Sequence, residues 1–201
     1  MLKRKCKITF IAHGATIHSQ EGIISDSEKH PPLTERGHEE MHKVCEYIKK
    51  RGIRDNKIYC SPAVRCIQSA QDICKVFKQE YEVLDGLSVR KCGILNGKSF
   101  KSVIKKYPNN PILAALDFKD GESLVDFNAR VIKLIEELVA ENIGNRLIIV
   151  TYPSVIQSVV AHILGIAPEN QAKVLIKTGS LTQISVFDNW SSLIYSGYVP
   201  L

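Results

Sequence analysis

Long hydrophobic runs are missing from this sequence. No apolar stretch approaches the ~20 residues a membrane-spanning helix requires. The run Ile8 to Ala12 is too short for the apolar core of a secretory signal. Cysteine is present without pattern: Cys6, Cys45, Cys60, Cys66, Cys74 and Cys92 form no Cys-x-x-Cys pair and no zinc-ligand spacing. Reduced thiols in a cytoplasmic protein, most of them small core residues, are therefore expected. Aromatic residues are sparse, with a single Trp, and no RNP-type pattern occurs, so a nucleic-acid partner is not expected. Internal repeats and low-complexity segments are also lacking. Their absence excludes collagen, coiled coil and disordered tail.

What remains is globular. The chain has 201 residues, 44% hydrophobic and 24% charged, an ordinary balance for a folded domain. A chain this long buries roughly 70% of its unfolded surface, so neither disulfide nor metal is required for folding. One domain spanning 1–201 is the expectation. His38 and His42 stand four apart without a third ligand, so no metal and no cofactor is expected. The net charge of +6 suits an anionic ligand or an acidic partner without choosing between them.

Periodicity gives the elements. Ile8, Phe10 and Ala12 alternate with Lys7, Thr9 and Ile11 as a first strand ending at His13-Gly14. Met41, Val44, Cys45 and Ile48 mark one helix face, stopped by Gly52. Lys57 to Cys60 reads as a strand, followed by a helix opened by Pro62 with Ser61 as its cap and Ile67, Ala70, Cys74 and Phe77 as its apolar face. Tyr81 to Leu84 is a third strand. The stretch of about 85–121, rich in glycine, proline and asparagine, reads as an irregular cap-like excursion over one end of the sheet.

Leu124, Phe127, Val131, Leu134 and Leu138 mark a long helix, and Leu147 to Val150 a strand buried on both faces. A helix over Ser154 to Leu164 and strands over Leu181 to Phe187 and Ser192 to Tyr198 close the chain. Strands alternating with helices predict an α/β fold, with a mainly parallel sheet and an antiparallel edge strand.

Ligands in such folds sit beyond the carboxyl ends of the strands. That rule brings His13-Gly14, Ser61-Pro62 and Thr151-Tyr152 to one rim. His13 is a candidate nucleophile there. Gly14 permits close backbone approach, and Arg65 supplies a planar cation beside a helix N-terminus.

These residues carry a resemblance that covers nearly the whole chain. His13-Gly14-Ala15-Thr16, Pro32-Leu33-Thr34-Glu35-Arg36-Gly37, the run Ser61 to Ala70 containing Arg65, Gln68 and Ser69, and Gly121-Glu122-Ser123 with Arg130 follow in order. In these motifs the chain resembles the histidine phosphatase superfamily, which includes phosphoglycerate mutases. The resemblance implies a three-layer α/β/α sandwich and phosphoryl transfer through a phosphorylated histidine, here His13. Arg65, Gly14 and Thr16 are the phosphate-binding positions it implies.

The departures fall on the chemistry. Ala12 stands where the family has a phosphate-clamping arginine, Val89 where it has the proton-donating acid, and Tyr152 where it has a second histidine. Pro153 follows where a glycine is usual. Losing one preorganised oxyanion donor costs on the order of 10²–10³ in rate, and a general acid roughly 10²–10⁴. These losses do not multiply independently.

Three readings stand at this point. The first is a catalytically impaired pseudophosphatase that retains weak phosphate or anion binding. The second is an active phosphomonoesterase using His13 as phosphoryl acceptor with a relocated acid. The third is a structural or interaction module whose anion site is dead. Expected partners are a phosphorylated small molecule or inorganic anion. An acidic protein is a further expectation, facing the basic stretches Lys3–Lys7, Lys49–Arg54 and Arg90–Lys106. No membrane partner is expected.

Overall fold

The strand β1, Arg4–Ala12, lies at the centre of a six-stranded sheet. The computed structural model describes residues 4–26, 31–53, 56–106 and 119–201. Lys3, His30, Arg54 and the part of the predicted excursion over 107–118 lie outside the described residues. The strands β2 (Asn56–Cys60), β3 (Tyr81–Val83), β4 (Arg146–Thr151), β5 (Leu181–Phe187) and β6 (Ser191–Tyr198) arrange with β1 in the order β3-β2-β4-β1-β5-β6. β1 to β4 are mutually parallel, and β5 pairs antiparallel with both β1 and β6. The predicted α/β class holds. The antiparallel strand is β5, one position in from the edge, with β6 outside it.

The strict alternation expected along β1 is not observed. Ile8, Thr9, Phe10, Ile11 and Ala12 are all buried, because both faces of a central strand are covered by helices. The helices are α1 (Ile17–Glu21), α2 (Glu35–Lys50), α3 (Val64–Phe77), α4 (Phe100–Lys106), α5 (Leu124–Glu141) and α6 (Pro153–Leu164). α2 packs on α3, and α5 packs on α6. The chain steps outward from β1 to β2 to β3, then returns through β4 and passes to β5. Right-handed crossovers taken in opposite directions set the two helix pairs on opposite faces.

The predicted faces of α2 and α5 are buried, with Ile135 replacing the half-buried Leu134 on the α5 seam. On α3 the seam is rotated: Cys66, Ala70, Ile73 and Cys74 are buried, while Ile67 and Phe77 are only partly so. The predicted Ser61 cap is also displaced. Ser61 N still donates to Val150 O, extending the sheet ladder, so the helix opens only at Val64 with Ala63 at its cap.

Beyond β3, the described part of the excursion carries a small core of its own, Cys92, Leu95 and Val103 with Ile24. It is stitched to the segment after α1 by Ile24 N to Lys98 O, Gly97 N to Ile24 O and Phe100 N to Gly22 O. Arg90 does not contribute to an exposed basic stretch. It is buried, and its Nε donates to Glu122 O at 2.7 Å.

Candidate functional site

β1 and β4 are neighbours whose following chains lead to opposite faces of the sheet, the arrangement that opens a crevice at their carboxyl ends. Ala12 is in register with Thr151, and His13 N donates to Thr151 O at 3.0 Å. His13 and Tyr152 therefore leave adjacent strand ends together. Arg65, in the first turn of α3, joins them from the end of β2.

His13 is 5% exposed. Its Nδ1 lies 2.8 Å from Gly14 O. A carbonyl only accepts, so Nδ1 carries the proton and Nε2 keeps its lone pair. Burial pushes the imidazole pKa down to about 4, the Gly14 hydrogen bond opposes the shift, and the Arg65 charge adds to it. At neutral pH His13 is an uncharged imidazole with a nucleophilic Nε2.

Arg65 is also buried. Its Nη2 donates to the Tyr152 hydroxyl at 2.7 Å, and its Nη1 reaches Pro31 O at 3.4 Å. The guanidinium carbon lies 4.9 Å from the centre of the Tyr152 ring, and that ring meets His13 edge-on at 5.3 Å. Tyr152 thus touches both the candidate nucleophile and the candidate clamp.

The loop after His13 is held tightly. Gly14 N donates to Ser69 Oγ at 3.1 Å, and Ser69 Oγ donates to Arg65 O at 2.7 Å. Ala15 N donates to Glu40 Oε2 at 2.9 Å, and Thr16 N to Ser19 Oγ at 2.9 Å. Thr16 caps α1, its hydroxyl accepting from Ser19 N. Three successive N–H groups after His13 are therefore engaged by side chains. The groups of this loop and rim with a hydrogen to offer an anion are Arg65 and the Tyr152 hydroxyl, while the Nε2 lone pair of His13 can only face an electrophilic centre such as phosphorus.

Ala12 is fully buried in the main core, and Val89 packs partly buried against it. Val89 sits in a braced segment. Arg130 pairs with the Glu122 carboxylate at 2.8 Å and donates through Nη1 to Gly86 O and Ser88 O. Thr151 Oγ1 donates to Leu87 O at 2.8 Å. Glu122 is thus a brace, as its position at the start of α5 suggests.

The supporting roles of Ser69 and Glu40 escape sequence reasoning. Ser69 lies inside the Arg65 motif, which is a signal. Glu40 carries none, since its contact spans 25 positions. All six cysteines are free and buried. Burial pushes the Cys66 and Cys60 thiols up to about 12, far from reactive thiolates. His38 binds Asp72 at 2.9 Å. Among the described residues no cluster of three or more metal-ligating side chains occurs, and no helix is long and apolar enough to cross a membrane.

Comparison with known proteins gives this geometry a context. The family model described as histidine phosphatase superfamily (branch 1) matches residues 8–194. A broad-specificity phosphatase of Saccharomyces cerevisiae is 30% identical over 138 residues, 67% of this chain and 59% of that protein. The 6-phosphofructo-2-kinase/fructose-2,6-bisphosphatase of Caenorhabditis elegans is 27% identical over 156 residues, 75% of this chain and 32% of that protein. The chain thus spans from about a third to three-fifths of these two relatives. Among solved structures, the alpha-ribazole phosphatase of Shigella flexneri superposes with a TM-score of 0.80 at 18% identity, covering 97% of this chain and 98% of that one.

Proposed function

The chain belongs to the histidine phosphatase superfamily, and on that premise we propose that its pocket binds a phosphate-like anion while turning over phosphomonoesters poorly. The observation that carries this reading is the Arg65–Tyr152 hydrogen bond of 2.7 Å. A neutral phenol takes a guanidinium donor that a phosphoryl oxygen needs. Phosphoryl transfer depends on positioned charge around the equatorial oxygens, so a diverted clamp weakens catalysis more than binding. Ala12 offers no cation and Val89 no proton. Arg65 and the Tyr152 hydroxyl remain as anion ligands, with the Nε2 lone pair of His13 facing the central atom. We place this chemistry in the reducing cytoplasm, a reading supported by six unbridged, buried cysteines.

The test is hydrolysis of p-nitrophenyl phosphate beside thermal unfolding in phosphate and vanadate. The proposal expects hydrolysis near background and an anion-dependent rise in midpoint that disappears in Arg65→Ala. No rise would make the pocket a dead site and leave only a structural role. Ala12→Arg/Val89→Glu/Tyr152→His should raise hydrolysis by about 10²-fold or more. Circular dichroism must accompany it, because Ala12 is fully buried. Pro153 can stay in that variant: it is the first residue of α6, where a missing N–H breaks no helical bond.

One observation favours an active phosphomonoesterase instead. The neutral His13, with its proton fixed on Nδ1 by Gly14 O, presents Nε2 as a nucleophile. That reading requires an acid-labile phosphohistidine at His13, absent in His13→Ala, and substantial turnover abolished by the same substitution.

A further inference from the structure

The end of the sheet opposite His13 carries unpaired positive charge. β1 runs from Arg4 to Ala12, so its start lies roughly 25 Å from the His13 loop. Lys7 is in register with Arg146, the first residue of β4. Burial, with the charges of Arg146 and Arg4, holds the Lys7 ammonium below its usual range. Asp188 is taken by Lys5 at 3.4 Å, and among the described residues no carboxylate pairs with Arg4, Lys7 or Arg146. Three cations thus meet without a counter-charge, an arrangement that an anionic partner relieves. The fold enlarges the first of the basic stretches expected to face an acidic protein, because Arg146 joins it across the sheet.

At the same end an open hollow of 490 Å³ lies between α5, α6 and the β5–β6 hairpin, with Lys5 among its lining. Its floor is apolar, including the buried Val139, Val159 and Ile184. Glu136, His162 and Ser191 add polar wall. Two large apolar side chains of the lining open to solvent: Ile143, 60% exposed, and Trp190, 47% exposed and stacked on Phe187 at 4.4 Å. Exposed apolar groups gathered in one place mark an interaction site. Ile184 pairs with Ile8, the neighbour of Lys7, so the hollow and the cations lie on opposite faces of the strand ends. About 10 Å separates the two side-chain layers, the reach of three or four extended residues.

We propose that the amino end of the sheet docks an acidic segment of a partner protein. The segment's carboxylates lie on Arg4, Lys7 and Arg146, and an apolar side chain a few residues along enters the hollow beside Trp190. The hollow sets the class of partner. A peptide carries fixed carboxylates and an apolar side chain within that reach, whereas an anionic bilayer presents its headgroups as a plane and leaves the hollow unfilled. The surface is independent of the chemistry at His13, and a partner seated there leaves that pocket open.

The probe is the peptide acetyl-Asp-Glu-Glu-Gly-Leu-Leu-amide, followed through the fluorescence of Trp190, the single tryptophan of the chain. A saturable change is expected, weakening at high ionic strength. Serine in place of both leucines should weaken binding about tenfold. Lys7→Gln/Arg146→Gln should also weaken it about tenfold, and should unfold at an equal or higher midpoint because two repelling cations are gone. If that variant does not fold, Arg4→Gln, at an exposed position, reads the loss of binding instead. Vesicles of phosphatidylserine and phosphatidylcholine, sedimented with the whole chain, should leave it in the supernatant. No saturable change in the wild-type chain, equal binding of the serine peptide, or undiminished binding in the folded variant overturns the proposal. Sedimentation with the vesicles overturns it in favour of a lipid surface.

Discussion

The Tyr152 hydroxyl accepts a 2.7 Å hydrogen bond from Nη2 of Arg65. Both residues are buried, so the bond forms where water competes weakly and its geometry persists. It ties the residue that follows β4 to the first turn of α3, across the place where the family motif expects an anion.

Tyr152→Phe tests that tie. Removing one acceptor from a buried guanidinium should lower the stability of the anion-free protein by about 1–3 kcal/mol. Inorganic phosphate then finds a released donor, so the phosphate-induced rise in unfolding midpoint should exceed that of the wild type at equal ionic strength. An unchanged increment would show that the phenol does not compete with the anion.

His13 predicts a pH dependence of stability. Its folded pKa, about 4, lies below the unfolded value of 6.5. Above pH 6.5 both states are neutral and the stability contribution is fully present. As pH falls from 6.5 towards 4, the unfolded chain takes up a proton that the folded chain refuses. Stability should fall across that window by roughly 3 kcal/mol in total. Urea denaturation at pH 7 and pH 5 should show His13→Gln losing less stability than the wild type. An identical loss in both proteins would assign the acid sensitivity elsewhere.

The Glu122–Arg130 pair braces the segment around Val89. Glu122 and Arg130 side chains are 15% and 29% exposed, so the pair is only partly screened. Arg130→Leu should destabilise the protein by about 1–3 kcal/mol, since it takes the guanidinium away from a part-buried carboxylate and from the Gly86 and Ser88 carbonyls. Hydrogen exchange should report faster opening of residues 86–91 than of β1. Protection there as strong as in the wild type would refute the bracing role.

Gly14 serves close approach of backbones. A Cβ at this position would stand 2.4 Å from Gly37 O, and one at Gly37 would stand 2.2 Å from Ala15 O. Gly14→Ala should therefore cost about 1–3 kcal/mol through forced backbone displacement. Gly52→Ala, where no atom lies within 4 Å of the added Cβ, provides the contrast by acting through local backbone strain alone. Equal losses would mean that the contact between the loop after His13 and the first turn of α2 is unimportant.

Much of the fold was legible because its signals are local. The spacing of Met41, Val44, Cys45 and Ile48 gave α2 its buried face, and the apolar run Leu147 to Val150 gave β4 its place in the interior. Where packing overrides local pattern, the readings slipped. β1 is buried on both sides because it is central, and α3 turns Ile67 partly outward because Cys66 and Ile73 face the sheet.

By itself, the sequence determined the order of strands and helices, the motif around Arg65 and the positions that depart from the family pattern. Periodicity and spacing along the chain are enough for these. Only the tertiary structure decided what the departures do. It set the Tyr152 hydroxyl on Arg65, engaged the three N–H groups after His13 with Ser69, Glu40 and Ser19, and buried Arg90 against Glu122. Four of those contacts join residues between 25 and 87 positions apart. Their geometry follows from strand register and helix packing, which no local pattern encodes.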